Sequence, residues 1–259
     1  TGPNGAGKTN ILEAVSMLAP GRGIRSAKIE DIQKKAANDS WAVSALIKNG
    51  GQEHRLGTGI DPGVNTPRGR KRLVRINGES VSALSALGEY LSVFWLSPQM
   101  DRLFIDPASE RRRFLDRMIL TYDPAHAGRT SRYEKALSQR SRLLKDGNFD
   151  DSWLSALESQ MAETGVALAA TRLEFIDRLK KALRQFDHPH FPEADIALNG
   201  FLEDQLENLP ALELEERFTH ALSHSRESDS ITGGAAIGPH RSDFMLIYKA
   251  RDMRADQCS

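Results

Sequence analysis

The chain has 259 residues, of which 39% are hydrophobic and 27% charged, and its 35 basic residues balance its 35 acidic ones. These values are typical of a soluble globular protein with one large or two smaller domains, and the zero net charge excludes a protein that coats nucleic acid with its whole surface. No apolar run approaches the roughly 18 residues of a membrane span. The single cysteine, Cys258, excludes a disulfide framework and suits a reducing compartment, so we expect a cytoplasmic protein.

The chain opens on a phosphate-binding loop. Residues 2–9 are Gly-Pro-Asn-Gly-Ala-Gly-Lys-Thr and match the Walker A pattern G-x-x-x-x-G-K-[ST] at every required position. The glycines permit the backbone angles that turn amide N–H groups towards an anion, and a helix starting near Lys8 directs its positive end to the same point. We predict that Lys8 contacts the β- and γ-phosphates of ATP and that Thr9 binds the accompanying Mg²⁺. The predicted nucleotide-binding residues of this loop are Gly2, Pro3, Asn4, Gly5, Ala6, Gly7, Lys8 and Thr9, with a catalytic role for Lys8.

Two expected parts of a P-loop ATPase are not found in the sequence. A Walker A loop follows a buried strand, but no residue precedes Thr1. A Walker B strand ends in an acidic residue that helps to hold magnesium, but no run of four apolar residues is followed by Asp-Glu. We therefore expect the chain to be the interior of a longer protein and to hydrolyse ATP negligibly by itself.

A small antiparallel β-layer is predicted after the P-loop helix. Its elements are a strand at 41–47, a turn at 48–51, a returning strand at 54–60, a Pro- and Gly-containing loop at 61–69 and a strand at 72–76 that ends in an Asn-Gly turn. A short helix at 83–91 and a compact buried strand at 93–96 follow.

Five cations lie within eight residues beside the predicted hairpin. Neutralising phosphates is the main source of sequence-independent DNA binding, so this cluster is a candidate DNA-binding surface. A solvated hairpin edge, protected by its charges from aggregation, explains the same pattern equally well. The candidate residues are Arg68, Arg70, Lys71, Arg72 and Arg75.

Helical periodicity begins at about residue 110. We predict helices at about 110–122, 131–144 and 151–185, the last two as an antiparallel pair. Apolar residues of the long helix follow spacings of three, four and seven, which indicates either an arm that contacts a partner or the core of a helical subdomain. They are Leu154, Leu157, Met161, Leu168, Phe175, Leu179 and Leu183.

The run Gly-Pro-His-Arg-Ser-Asp at 238–243 precedes an apolar strand. His240 beside Asp243 could act as a general base, or it could be a loop histidine at the start of the strand, and the roles of His240 and Arg241 stay open. The seven histidines and one cysteine show no metal-ligand spacing, so the only metal expected is the Mg²⁺ that arrives with ATP.

Four stretches together resemble the RecF family of bacterial recombination mediators, whose ATPase head is of the ABC class, like that of the SMC proteins. They are the P-loop with Asn10 directly after it, residues 20–25, residues 98–116 with the ending Glu-Arg-Arg-Arg-Phe-Leu-Asp, and residues 238–243. The resemblance implies an α/β P-loop NTPase, an SMC/RecF-like ABC head with a small antiparallel β-layer and an inserted helical lobe. It adds Asn10 to the nucleotide site and makes Gln99 the Q-loop residue, with catalytic and magnesium-binding roles.

The resemblance also implies a division of the chain. Residues 1–109 form the first ATPase lobe with the P-loop, β-layer and Q-loop. Residues 110–190 form the helical lobe with its helix pair. Residues 191–259 return to the ATPase lobe and stop before Walker B and the ABC signature, of which Ser259 is the expected first residue.

The function implied by the resemblance is an ATP-dependent DNA-repair mediator. It binds double-stranded DNA near single-strand gaps, assists recombinase loading with partners like RecO and RecR, acts in the SOS response, forms an ATP-driven homodimer and shows weak DNA-dependent ATPase activity in the full-length protein. Two alternatives stay open, an ABC ATPase subunit of a transport complex and a P-loop kinase of small molecules.

Overall fold

The chain forms two compact units in the computed structural model. The structure describes residues 1–25, 27–28, 31–32, 40–66, 69–147, 150–186 and 191–258, and for residues 49, 61–66, 69–71 and 99 it describes the backbone alone. The first unit consists of Thr1–Ser97 and Leu120–Ala127, and the second of Pro98–Ile119 and Gly128–Ser259. The assignment of these parts to ATPase and helical lobes remains a prediction.

The first unit contains the P-loop helix and one antiparallel sheet. The helix, α1, spans Lys8–Ser16, and the sheet has the order β1-β2-β3-β4. A 3₁₀ helix at Leu84–Glu89 occupies the place of the predicted short helix. The strands are Trp41–Asn49 (β1), Gln52–Thr66 (β2), Gly69–Ile76 (β3) and Glu79–Val81 (β4).

Alternation along the strands separates a buried face of the sheet from an exposed one. Leu56, Val74 and Ile76 are buried together with Leu18 and Leu87, whereas Arg75, between two of them in sequence, is exposed. This period of two is what an antiparallel strand with one covered face requires. The inner face of the sheet therefore forms the core of the first unit.

The turn between β3 and β4 has the predicted Asn-Gly chemistry. Asn77 and Gly78 both have positive φ, at 54° and 92°, and connect Ile76 to its partner Glu79. Asn and Gly are the residues that tolerate this geometry, which matches the twist of a two-residue hairpin. The Asn77 side chain also accepts a hydrogen bond from the N–H of Arg55 at 2.8 Å, so the turn is fixed to β2.

Two sequence predictions in this unit are corrected. The predicted loop at 61–69 is largely strand, because β2 continues to Thr66 and β3 resumes at Gly69, with the pairing register shifting between Ile60 and Asn65. Residues 93–96 are not a buried strand, since Phe94 is 44% exposed and Leu96 73% exposed. No strand in the described part of the chain pairs with them.

The second unit is built around one long helix. Its helices are α2 (Ala108–Tyr122) and α3 (His126–Lys145), both of which have a few residues assigned to the first unit, then α4 (Asp151–Gln185), α5 (Glu203–Leu206), α6 (Ala211–His224) and α7 (Arg226–Thr232). A second antiparallel sheet has the order β5-β6-β7, with strands Ala194–Asn199, Asp243–Tyr248 and Met253–Arg254. Its described residues also form 3₁₀ helices at Pro98–Arg102, Lys249–Arg251 and Ala255–Gln257.

The apolar stripe of α4 lies in the core of this unit. The helix begins where the Asp150 carboxylate accepts the N–H of Trp153 at 3.0 Å, an N-cap contact. The first half of the stripe packs with α3 and α6, and the second half with α2 and the β5–β6 sheet. These contacts favour the subdomain-core interpretation of the heptad pattern over an arm. None of the described helices is both long and apolar enough to cross a bilayer.

Candidate functional sites

The P-loop has the backbone geometry that its sequence predicts. Gly5 and Gly7 both have φ of 84°, and Gly7 is the N-cap residue of α1. A Cβ atom at either position would meet no atom within 4 Å, so the positive φ, not lack of space, is what requires glycine here. The loop thus presents its amides at the positive end of α1.

Lys8 already lies against the loop. Its ammonium group donates hydrogen bonds to the carbonyl oxygens of Gly2 and, at 2.8 Å, of Pro3. The side chain is exposed, as are those of Thr9 and Asn10 on the first turn of the helix. An ammonium carries three donors, so one remains for a phosphate oxygen. This loop has the donors to bind a polyphosphate, and the magnesium-binding role of Thr9, on the same turn, stays a prediction.

Arg72, one of the five predicted DNA-binding cations, is used inside the protein. It is 6% exposed and donates to the Thr58 hydroxyl at 2.7 Å and to the carbonyl oxygens of Met17, Ala19 (3.3 Å) and Gly21 (2.5 Å). Burial lowers its pKa to about 10, which leaves it charged at neutral pH. It therefore stabilises the backbone after α1, and we remove it from the DNA-binding set.

Arg75 lies on the opposite face of the sheet from the buried Arg72. It is exposed and faces Gly57 across the strands, on the same side of the sheet as Arg55. The two arginines border an open depression of about 680 Å³ whose floor includes Gly57 and Gly59. The side chains of Arg70, Lys71 and Gln99 and the whole of Arg68 and Ser259 lie outside the described residues.

The arginine-rich block of α2 and the run at 238–243 meet in the second unit. Arg111 makes a two-pronged ion pair with Asp243, at 2.7 and 3.0 Å. Arg112 donates to the Ser242 carbonyl at 2.6 Å. Such fork-to-carboxylate pairing fixes orientation as well as distance. Two stretches that were singled out separately in the sequence are therefore one site.

A third arginine, Arg172 of α4, completes the junction. It pairs with both oxygens of Asp116, at 2.9 and 2.8 Å, and donates to the Pro239 carbonyl at 2.6 Å. The Asp116 ion pair raises its pKa against the effect of burial. Sequence reasoning missed Arg172, and the only available signal was a lone arginine at an otherwise buried position of the long helix.

His240 is held by both ring nitrogens. Nε2 lies 2.9 Å from the Ala235 carbonyl oxygen, which can only accept, so Nε2 carries the proton. Nδ1 therefore accepts from the Tyr133 hydroxyl at 2.7 Å. Burial lowers the His240 pKa to about 4, and the charges of Arg241 and Arg112 contribute. Since Asp243 is paired with Arg111, the geometry does not support a His–Asp general base, and His240 acts as a structural anchor.

Glycine makes this anchor possible. Gly238 has φ of 131°, and a Cβ there would lie 2.4 Å from the Tyr133 hydroxyl oxygen. Gly165 of α4 lies where a Cβ would meet Phe218 at 3.1 Å and Tyr133 at 3.2 Å. The 238–243 run thus packs closely against α4, and a residue larger than Gly165 would reduce the space between them.

The chain is similar to known proteins over its whole length. It is 45% identical to the DNA replication and repair protein RecF of Mesorhizobium japonicum and 42% identical to that of Rhizobium rhizogenes, in both cases over 260 residues that cover 100% of the chain and 68% of the relative. No protein-family model matches. These relatives favour the first of the three functions considered above.

Two solved structures share the fold. The recombination mediator protein RecF-ATPrS of the RecFOR pathway superposes with a TM-score of 0.82 at 23% identity, over 95% of this chain and 66% of that one. The RecF-ATP structure gives 0.78 at 25% identity, over 94% and 65%. The chain thus spans just under two thirds of these solved proteins. The predicted fold class, an ABC-type P-loop head with an antiparallel β-layer and a helical lobe, is confirmed.

Proposed function

The chain belongs to the RecF family of DNA replication and repair proteins, and on that premise we propose that it is the ATP-binding part of a recombination mediator. The full-length protein binds double-stranded DNA near single-strand gaps and assists recombinase loading, together with RecO- and RecR-like partners. The observation that carries the proposal is the P-loop, where two glycines of positive φ, an exposed lysine and a helix N-terminus converge.

ATP is the ligand that this loop fits. The backbone amides and Lys8 hold the phosphates, Thr9 binds Mg²⁺, and Gln99 takes the Q-loop role that the family resemblance assigns to it. In ABC ATPases the signature motif of one subunit covers the ATP of another, so ATP binding drives dimerisation of the heads and hydrolysis is slow. Localisation in the cytoplasm and a role in the SOS response follow from the same premise.

The β-layer supplies the proposed DNA contacts. Arg68, Arg70, Lys71 and Arg75 remain after the removal of Arg72, and Arg55 joins them because it is exposed on the same side of the sheet as Arg75. Gly57, which pairs with Arg75, adds no side chain between the two described arginines, and a glycine permits close approach of a phosphate backbone.

Lys8→Ala in the full-length protein tests the proposal. We expect tight ATP binding to be lost, because the loop loses its fixed positive charge, and each charge-assisted contact to phosphate contributes about 1.5–3 kcal/mol. Isothermal titration with ATP and Mg²⁺ measures the effect. Lys48→Ala is the matched control, since Lys48 is an exposed lysine of the same unit that pairs with Glu53. Equal affinities of the two variants would remove ATP binding by this loop from the proposal.

A further inference from the structure

The junction of α2, α3 and the 238–243 run contains a cavity lined by arginines. This cavity of about 180 Å³, the arginine pocket, is lined by Ser109, Arg112, Arg113, Thr130, Tyr133 and His240, among others. It lies wholly within the second unit, whereas the P-loop belongs to the first. We propose that the arginine pocket is a binding site for the oxyanion of a phosphate group.

Arg112 differs from the two arginines that flank it in the junction. Arg111 and Arg172 are each neutralised by a two-pronged carboxylate contact. Among the described residues, the contact of Arg112 is a single hydrogen bond from Nη1 to the Ser242 carbonyl. A guanidinium has five N–H donors. Most of the donors of this partly buried group are therefore unused by the described residues.

The electrostatic surroundings of Arg112 favour an anion. Burial lowers its pKa, and the positive charge of Arg172 lowers it further. The carboxylate of Asp116, which also lines the pocket, is paired with Arg172, and Glu134 is an exposed residue of the lining. Of the three arginines that line the pocket, Arg172 and Arg113 each have a carboxylate partner, and Arg112 has none within hydrogen-bond distance among the described residues. An anion that paired with this partly buried guanidinium would offset the cost of burying its charge.

The other polar groups in the lining suit an oxyanion. His240 is neutral and commits both nitrogens elsewhere, so it adds no negative charge and no competing acceptor. The Ser109 hydroxyl lies in the first turn of α2. Arg113, whose side chain is 70% exposed, lines the pocket while pairing with Glu110. The arrangement presents two guanidinium groups and a hydroxyl to one cavity.

The volume decides between a phosphate group and a whole nucleotide. A water molecule occupies about 30 Å³ of liquid, and pockets for drug-sized ligands are about 300–1,000 Å³. At about 180 Å³ the arginine pocket admits a phosphate with a few waters but not a base and sugar as well. Free inorganic phosphate and a phosphate of a nucleic-acid strand share this chemistry, and the experiment below separates them.

The test uses the full-length protein in a Lys8→Ala background, so that phosphate bound at the P-loop does not contribute. Thermal unfolding is followed in sodium phosphate and in sodium chloride of equal ionic strength. A ligand that binds only the folded state raises the melting temperature. We expect phosphate to raise it in this background, Arg112→Gln to abolish the rise, and Arg178→Gln to retain it. Arg178 is the control, because it is an exposed arginine of α4 outside the pocket.

Two further variants keep the test decisive if Arg112→Gln does not fold. Arg112→Lys keeps the charge but loses the planar fork, and Arg113→Gln changes an exposed residue. Each is expected to weaken phosphate binding severalfold. An unchanged phosphate response in Arg112→Lys and Arg113→Gln, or an equal loss in Arg178→Gln, would overturn the proposal.

The source of the phosphate is identified with a short DNA duplex. Both outcomes of the duplex experiment require that phosphate raises the melting temperature as expected above. If Arg112→Gln or Arg112→Lys weakens duplex binding as well, and phosphate competes with the duplex, the pocket takes a nucleic-acid phosphate. If duplex affinity is unchanged while the phosphate response is lost, the pocket takes the free anion. Failure of the P-loop proposal leaves this result unaffected, since the background already lacks Lys8.

Discussion

Replacing Arg72 with methionine separates a structural cation from a DNA-binding one. Arg72→Met keeps much of the side-chain length but removes every donor. The carbonyl oxygens of Met17 and Ala19, residues that are 2% and 4% exposed, and the Thr58 hydroxyl then lose a charged partner. Gly21 is exposed, so water can replace the guanidinium at its carbonyl.

The magnitude follows from the buried groups. Each buried acceptor left without a partner costs about 1–3 kcal/mol, and two buried carbonyls therefore set a range of about 2–6 kcal/mol. Removal of a desolvated charge offsets part of this cost, as the lowered pKa of Arg72 indicates. We expect the free energy of unfolding to fall by about 2–4 kcal/mol.

Urea unfolding followed by circular dichroism measures the loss, with Arg75→Met as the matched control. Arg75 lies on the same strand but on the exposed face, so its replacement is expected to change stability by less than about 0.5 kcal/mol. The dependence of duplex affinity on salt concentration is expected to change in Arg75→Met and not in Arg72→Met. Loss of a phosphate contact at Arg75 reduces the steepness of the plot of log binding constant against log salt concentration by roughly 0.9, and Arg72→Met leaves that slope unchanged. Unaltered stability of Arg72→Met with a lower salt slope would refute the structural role.

Two further predictions concern the anchor at His240. The folded state holds the His240 pKa at about 4, below the value of about 6.5 in the unfolded chain, so the unfolded state binds more protons between these values. The free energy of unfolding therefore has its full value above about pH 6.5 and falls at lower pH, by roughly 2 kcal/mol at pH 5. Urea unfolding of His240→Gln should depend less steeply on pH. Equal pH profiles of the two proteins would contradict the role of His240 as a buried neutral anchor. Gly238→Ala is expected to destabilise the second unit by more than about 2 kcal/mol, because its Cβ meets the Tyr133 hydroxyl and its φ is positive. Gly128→Ala on α3, where a Cβ meets nothing within 4 Å, is the control, and similar melting temperatures of the two variants would contradict the close approach.

Local chemistry explains what the sequence could predict. The P-loop is defined by φ angles and a helix start within eight residues, and the Asn77-Gly78 turn by two residues of positive φ. The long helix was predicted with the bounds that the structure shows, because Asp150 caps its start and an apolar stripe runs along it. Interactions over a few positions suffice for each of these features.

Longer-range effects explain the two errors in the first unit. The segment 61–69 contains Pro and Gly, which favour a loop, but pairing between β2 and β3 extends both strands into it. The segment 93–96 has the composition of a buried strand, yet a strand also needs a paired neighbour, which composition does not reveal. Tertiary context overrides propensity in both cases.

The functional junction of the second unit required the structure. The sequence singled out the arginine block and the run at 238–243 but gave no reason to join them, because the pairs Arg111–Asp243 and Arg112–Ser242 span about 130 residues. A general-base interpretation of His240 from its nearness to Asp243 failed for the same reason. The Asp243 carboxylate is paired with Arg111, which is remote in sequence.

Arginine counts in a sequence therefore overstate the cations available to a nucleic acid. Arg72, Arg140 and Arg172 are all at most 6% exposed, and their donors are taken by backbone carbonyls and buried carboxylates. Arg112 occupies an intermediate position, since it is partly buried and makes one hydrogen bond to the described residues, and Arg75 is exposed on a sheet face. Local net charge along the sequence cannot separate these classes, since Arg72 and Arg75 lie three residues apart on the same strand, one buried and one exposed. Exposure together with donor use separates them, and on that basis we propose phosphate contacts for the β-layer face and the arginine pocket rather than for the basic hairpin as a whole.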